Sequence, residues 1–251
     1  MSACTDAINA ANHYKSAGRS RTNIQPSTST YFGDVARALL DANAAGGVAA
    51  RAAAVAAPPR PKSECTVALA CNREKSSANR AELDCYGTVA VVCSHTIPCL
   101  GLALAMTAHE QHSFYQRIFM ELLEIRPDVQ FIYLDLMCRF ADKVDAVIKD
   151  LQERNVLPPG DVKPRLLLPW MHAFDHNKEC QRDFNPMLQE GVGRRVGEQT
   201  EQFWSLIKAF AKIGRYLSWY RWWDGMNLLF WVITLRAQSG AQARRHVHRA
   251  G

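Results

Sequence analysis

Three groups of residues in this sequence have types and spacings that could do chemistry. The first is Asp135, near the end of the apolar run 129–136 (VQFIYLDL) and followed by Met137, Cys138 and Arg139. Burying a carboxylate in such a run is costly unless it is paired, hydrogen-bonded or bound to metal. Strand ends also open onto the crevices where α/β sheets bind ligands. The plain alternative is that Asp135 caps the helix that follows.

The second group is His172, His176 and Cys180. Spacings of four put all three on one helical face. Imidazole with thiolate is a donor set for a soft, tetrahedral ion such as Zn2+. Cys93 and His95, two apart in an extended segment, also share a side and are candidates for the remaining ligand. The competing reading is a set of polar side chains satisfied within the core. The third group is Glu198 and Glu201, one helical turn apart behind the glycine-rich stretch 191–197 (GVGRRVG). Either could face a site, or both could simply offset the positive end of a helix dipole.

These side chains need elements to position them. Residues 87–92 (GTVAVV) read as a buried strand. Within 107–125, Phe114, Tyr115, Ile118, Phe119, Leu122 and Leu123 recur at helical spacing, and Pro127-Asp128 ends that helix. Residues 129–136 then read as a second buried strand and 140–151 as a second helix, stopped by Pro158-Pro159-Gly160. Two further helices, 198–210 and 216–235, have aromatic-rich faces suited to core packing. Strand alternating with helix is an α/β arrangement. Ahead of it, residues 1–62 read as a low-complexity, alanine-rich leader and linker closed by Pro58-Pro59-Arg60-Pro61-Lys62. The folded domain is expected over 63–236, with a basic tail over 237–251.

Composition agrees with a soluble domain: 48% hydrophobic and 22% charged residues can bury a sizeable core. A net charge of +6 suits a polyanion such as nucleic acid. The first 30 residues hold no apolar signal segment, and the run 226–235 is about half a membrane span. The expectation is a nuclear or intracellular protein, neither secreted nor in a membrane. Its eight cysteines would then stay reduced or bind metal.

Taken in order, these residues resemble the Kyakuja-Dileera-Zisupton (KDZ) transposases over roughly residues 65–236. Leu83-Asp84-Cys85-Tyr86-Gly87 opens the resemblance, and Cys93-Ser94-His95-Thr96 stands where the family has C-R-H-G. His109-Glu110, with Phe114 or Tyr115, stands for G-E-x-x-Y, and Leu134-Asp135-Leu136-Met137-Cys138 for an apolar strand ending in Y/M-D-[IV]-x-C. His172-Ala173-Phe174-Asp175-His176 through Cys180 matches H-A-x-x-H-x-x-x-C. Residues 191–205 match a G-x-G-x-x-x-G-E run reaching Trp204-Ser205, and Arg215-Tyr216-Leu217-Ser218 follows.

The resemblance implies an RNase H-like α/β core, to which the reading of the residues adds a helical C-terminal part and a disordered, alanine-rich N-terminal segment. It implies DNA as partner, an oligomer as an allowed state, and a DDE triad holding Mg2+ or Mn2+ for DNA cleavage and strand transfer. Asp135 with Glu198 or Glu201 would supply two of its ligands, with carboxylates within about 8 Å of each other. The family's first aspartate lies upstream in a D-[AG]-N-F motif. Here Leu40-Asp41-Ala42-Asn43 resembles it, in a stretch that reads as helix and is followed by Ala44, Ala45 and Gly46. With Asp41 as the candidate first ligand, the expectation is a truncated, poor or inactive transposase. The alternative is a catalytically dead, zinc-stabilised module that binds DNA or protein. A metal-dependent hydrolase of another family is the weaker third reading.

Overall fold

The computed structural model describes residues 2–8, 11–14, 31–32, 83–106, 108, 110–159, 163–193 and 196–249. Its strands are Ser2–Ile8 (β1), His13–Tyr14 (β2), Leu83–Cys85 (β3), Gly87–Cys93 (β4), Pro98–Met106 (β5), Phe131–Tyr133 (β6) and Arg165–Leu167 (β7). Its helices are His112–Ile125 (α1), Met137–Glu153 (α2), Trp170–Ala173 (α3), Lys178–Phe184 (α4), Gln199–Gly214 (α5) and Trp219–Arg249 (α6), with a 3-10 turn at Pro186–Leu188.

Five strands make one mixed sheet in the order β5-β4-β1-β6-β7, and β2 pairs with β3 apart from it. β1 runs antiparallel to β4 and parallel to β6, β4 is antiparallel to β5, and β6 is parallel to β7. The middle strand therefore comes from the segment expected to be a leader, and that expectation is corrected for residues 2–8. The sequence SACTDAI has one bulky aliphatic residue, so no apolar run announces it. Its burial comes from having a strand on either side, since inner strands of a covered sheet are enclosed whatever their own bulk. Tyr31 and Phe32, also in the expected leader, are buried as well: Phe32 bridges to Ala103 and packs at a tilt against Trp223 with ring centroids 4.4 Å apart.

The helices follow the apolar spacing. α1 buries Phe114, Tyr115, Ile118, Phe119, Leu122 and Leu123 along one stripe and stops before Pro127. α2 buries Met137, Phe140, Ala141, Val144, Val147, Ile148 and Leu151, and packs on α1, which lies against β4 and β5. α5 packs on β1 and β4, and its Phe203 meets Phe230 of α6 edge-on. The backbone of α6 continues to Arg249, so most of the expected basic tail is helix. No described helix is long and apolar enough to cross a membrane.

Two local departures decide where the chemistry sits. Strand β6 is only Phe131–Tyr133, so Asp135 lies just beyond the strand end. The His/Cys segment is two short helices, α3 and α4, rather than one continuous helix.

Candidate active site

The register of β1 against β6 brings two carboxylates together. Ser2 pairs with Phe131, Ala3 with Ile132 and Cys4 with Tyr133. Carried two residues further, the same parallel register directs Asp6 toward Asp135, just past the end of β6, and the Asp135 charge bears on Asp6. Alternation also puts Asp6 on the side of β1 that carries Cys4, whose thiol donates to Oε1 of Gln199 in the first turn of α5 at 3.2 Å. Asp135 does not cap α2, which begins with no side-chain cap. Instead its Oδ2 lies 3.2 Å from Nδ1 of His172, both side chains about one-third exposed.

Electrostatics ties more groups to this pair. Burial raises the Asp6 carboxyl well above the usual carboxylate range; Asp135 adds to that, a main-chain hydrogen bond at Ala7 opposes it, and Glu110 and Glu201 raise it further. Asp135 is pushed up to about 6, by burial first; His172 opposes, and Glu201, Glu198 and Glu110 add repulsion. Among the described residues, His172 is the one ion-pair partner of these two aspartates. A partly enclosed set of carboxylates suits a hard divalent cation with oxygen ligands.

The two glutamates behind the glycine-rich turn have different surroundings. Glu198 accepts a hydrogen bond from the Met171 main-chain N–H at 2.8 Å, so one of its oxygens ties down the start of α3. Glu201 lies in the first turn of α5, and its charge bears on both Asp6 and Asp135. The turn itself presses against β6: Gly197, at φ +77°, has so little room that a Cβ would lie 2.3 Å from Cδ1 of Tyr133.

Glu110 went unnoticed as a site residue in the sequence, although it belongs to the quoted Glu–Tyr motif. The Tyr115 hydroxyl, buried on α1, donates to Oε1 of Glu110, and the tyrosine is raised well above its ordinary value by burial first and then by Asp6 and Glu110. Asp6 was also missed. It sits among small residues, in a segment with no apolar run to mark it as a strand. Asp41 lies outside the described residues.

The metal-type ligands regroup. Cys138, His176 and Cys180 have their donor atoms within 4.8 Å of one another and could hold a metal ion. Cys138 Sγ lies 3.4 Å from His176 Nδ1. His172 stands apart from this cluster because the helix breaks after Ala173, which voids the spacing-of-four argument. Cys180 is positioned by Asn177, whose side chain caps α4 by accepting from the Cys180 N–H at 2.9 Å. Cys93 ends β4 and His95 lies in the turn that follows, with Sγ 3.9 Å from Nδ1, and neither is part of the cluster. That turn instead reaches α5, where Thr96 donates to Gln202 Oε1 at 3.2 Å.

Compared with known proteins, the chain matches the model of one family over residues 1–232, the Kyakuja-Dileera-Zisupton transposases. Neither curated proteins nor solved structures yield a match.

Proposed function

Because the chain belongs to the Kyakuja-Dileera-Zisupton transposase family, we propose that its carboxylate cluster is a DDE-type centre for metal-dependent DNA cleavage and strand transfer, acting on DNA in the nucleus. What supports this reading is the β1–β6 register that directs Asp6 toward Asp135, with the Asp135 charge bearing on Asp6 and the charge of Glu201 on both. The sheet order supports an RNase H-like core: a middle strand flanked by an antiparallel hairpin on one side and two parallel strands on the other. Such a core offers its middle strand, the neighbouring parallel strand and a late helix as carboxylate carriers, which here are β1, β6 and α5.

In this reading Asp6, Asp135 and Glu201 hold Mg2+ or Mn2+, and Glu198 braces α3. Bound there, a pair of divalent ions supplies activation of the attacking oxygen and stabilisation of the leaving oxygen at a DNA phosphodiester. The protein's part is to fix three carboxylates in place before the ions arrive, because misplacement by about 1 Å costs about a hundredfold in rate. His172 orients the Asp135 carboxylate through its 3.2 Å contact. Tyr115 does the same for Glu110 by donating to its carboxylate.

The test is cleavage of DNA bearing the element's own ends by the purified chain with Mn2+ or Mg2+. Asp6→Asn and Asp135→Asn should each lower cleavage about a hundredfold or more, with the fold unchanged. Wild-type cleavage by Asp6→Asn would sink the assignment. The Cys138–His176–Cys180 cluster favours a second reading, a metal-stabilised binding module without catalysis. DNA binding that survives both substitutions, with no cutting by the wild type, would select it.

A further inference from the structure

We propose that Cys138, His176 and Cys180 bind a zinc ion that holds Asp135 in its working position, so that occupancy of this soft-metal site sets the affinity of the carboxylate site for its divalent cation. This rests on the carboxylate reading above and adds a control to it.

The argument starts from how little else secures the segment. α3 has four residues and α4 has seven, and each is far below the length at which a helix is stable alone. Their buried residues are Ala173 in the first and Cys180 in the second, while Met171 and Phe174 are each 58% exposed. Between the two helices the buried side chain is His176. Apolar packing of this segment is therefore thin, and two of its three buried side chains are metal-type ligands. Small substructures without enough core are commonly held by a bound metal, whose binding energy then becomes folding energy.

The third ligand connects the segment to the catalytic strand. Cys138 is three residues beyond Asp135, in the first turn of α2, a helix with neither a side-chain cap nor an acidic residue there. Asp135 thus sits on a short bridge whose strand side is fixed by the Leu134 N–H donating to the Leu167 carbonyl at 3.0 Å. Its helix side is anchored by the buried Met137 and Phe140, with the half-buried Cys138 between them facing His176. The same segment touches Asp135 twice more: the His176 ring hydrogen-bonds to the Asp135 main chain, and His172 contacts its carboxylate. An ion joining Cys138 to His176 and Cys180 closes these contacts into one rigid unit. Two thiolates and an imidazole select zinc over the hard cation that the carboxylates would hold. Donor atoms within 4.8 Å need contract only modestly to reach zinc bond lengths of about 2.0–2.3 Å.

The experiment uses the full chain. Zinc content is measured by elemental analysis, Co2+ replacement is followed by its thiolate charge-transfer absorption, and Mn2+ affinity is measured by electron paramagnetic resonance. These are compared in zinc-loaded protein, in protein stripped by a chelator, and in Cys180→Ser. The expected result is one zinc per chain, lost in Cys180→Ser, with Mn2+ affinity falling about tenfold to a hundredfold when zinc is gone. Chelator titration of the wild type gives the same comparison should Cys180→Ser fail to fold. Zinc bound and removed with Mn2+ affinity unchanged would overturn the coupling, and wild-type protein that takes up no zinc would overturn the zinc site itself; neither result touches the carboxylate reading. No Mn2+ binding by the zinc-loaded protein, or binding that survives Asp6→Asn with Asp135→Asn, would overturn the carboxylate reading and this inference with it.

Discussion

Asp135 holds a proton more readily in the metal-free fold than in an unfolded chain, since its carboxyl rises from 3.8 to about 6. A group raised in this way stabilises the fold fully below its unfolded value, and that contribution is lost as pH climbs through about 6. Asp6 is shifted in the same direction. Without metal, thermal stability is therefore expected to fall between about pH 4 and pH 7, and Asp135→Asn should flatten that slope. Added Mn2+ should raise the melting temperature most on the alkaline side, where both carboxylates are charged. Thermal unfolding in chelator and in Mn2+ across this range checks both effects; a slope unchanged by Asp135→Asn would refute them. The two glutamates separate in the same way. Glu201→Gln should weaken Mn2+ binding, whereas Glu198→Gln keeps an acceptor for the Met171 N–H and should leave it near wild type, as paramagnetic resonance can measure. At this scale Asp135 was legible because a charge interrupts an apolar run. Asp6 was not, because its neighbours are small and its burial is conferred by partners far along the chain.

Among the elements, the joint between β6 and α5 is the most constrained. Gly197 lies against the Tyr133 ring at a positive φ, directly ahead of the helix that carries Glu201. Gly197→Ala would need both an unfavourable backbone conformation and displacement of a fully enclosed ring. Overpacking and lost backbone freedom together should cost roughly 2–4 kcal/mol. Denaturant titration should show that loss, and Mn2+ affinity should drop with it; an unchanged midpoint would mean the ring gives way freely. The helices α1 and α2 were readable because their apolar stripes recur at 3.6 residues. The zinc-type ligands were read on a single helix, and the structure divides them, because nothing in the periodicity of residues 170–184 marks the break after Ala173. Cys138 escaped notice as a ligand for a related reason: its partners are 38 and 42 positions away in sequence, and only the sheet brings them near.

For the whole molecule, the decisive feature is a middle strand drawn from one end of the chain. Removing residues 1–8 should leave β4 and β6 without their shared neighbour and abolish cooperative unfolding, as calorimetry would reveal; a retained sharp transition would contradict the sheet order. A fold dominated by pairings of high sequence separation is slow to form, since loop closure precedes the contacts that reward it. That has a consequence for timing. β1 leaves the ribosome well before the strand that leads to Asp135 and the helix that brings Glu201. A nascent chain therefore carries its acidic residues scattered, with no nest able to capture a divalent cation. On the proposed reading, any capacity to cut DNA would arrive only with the finished fold.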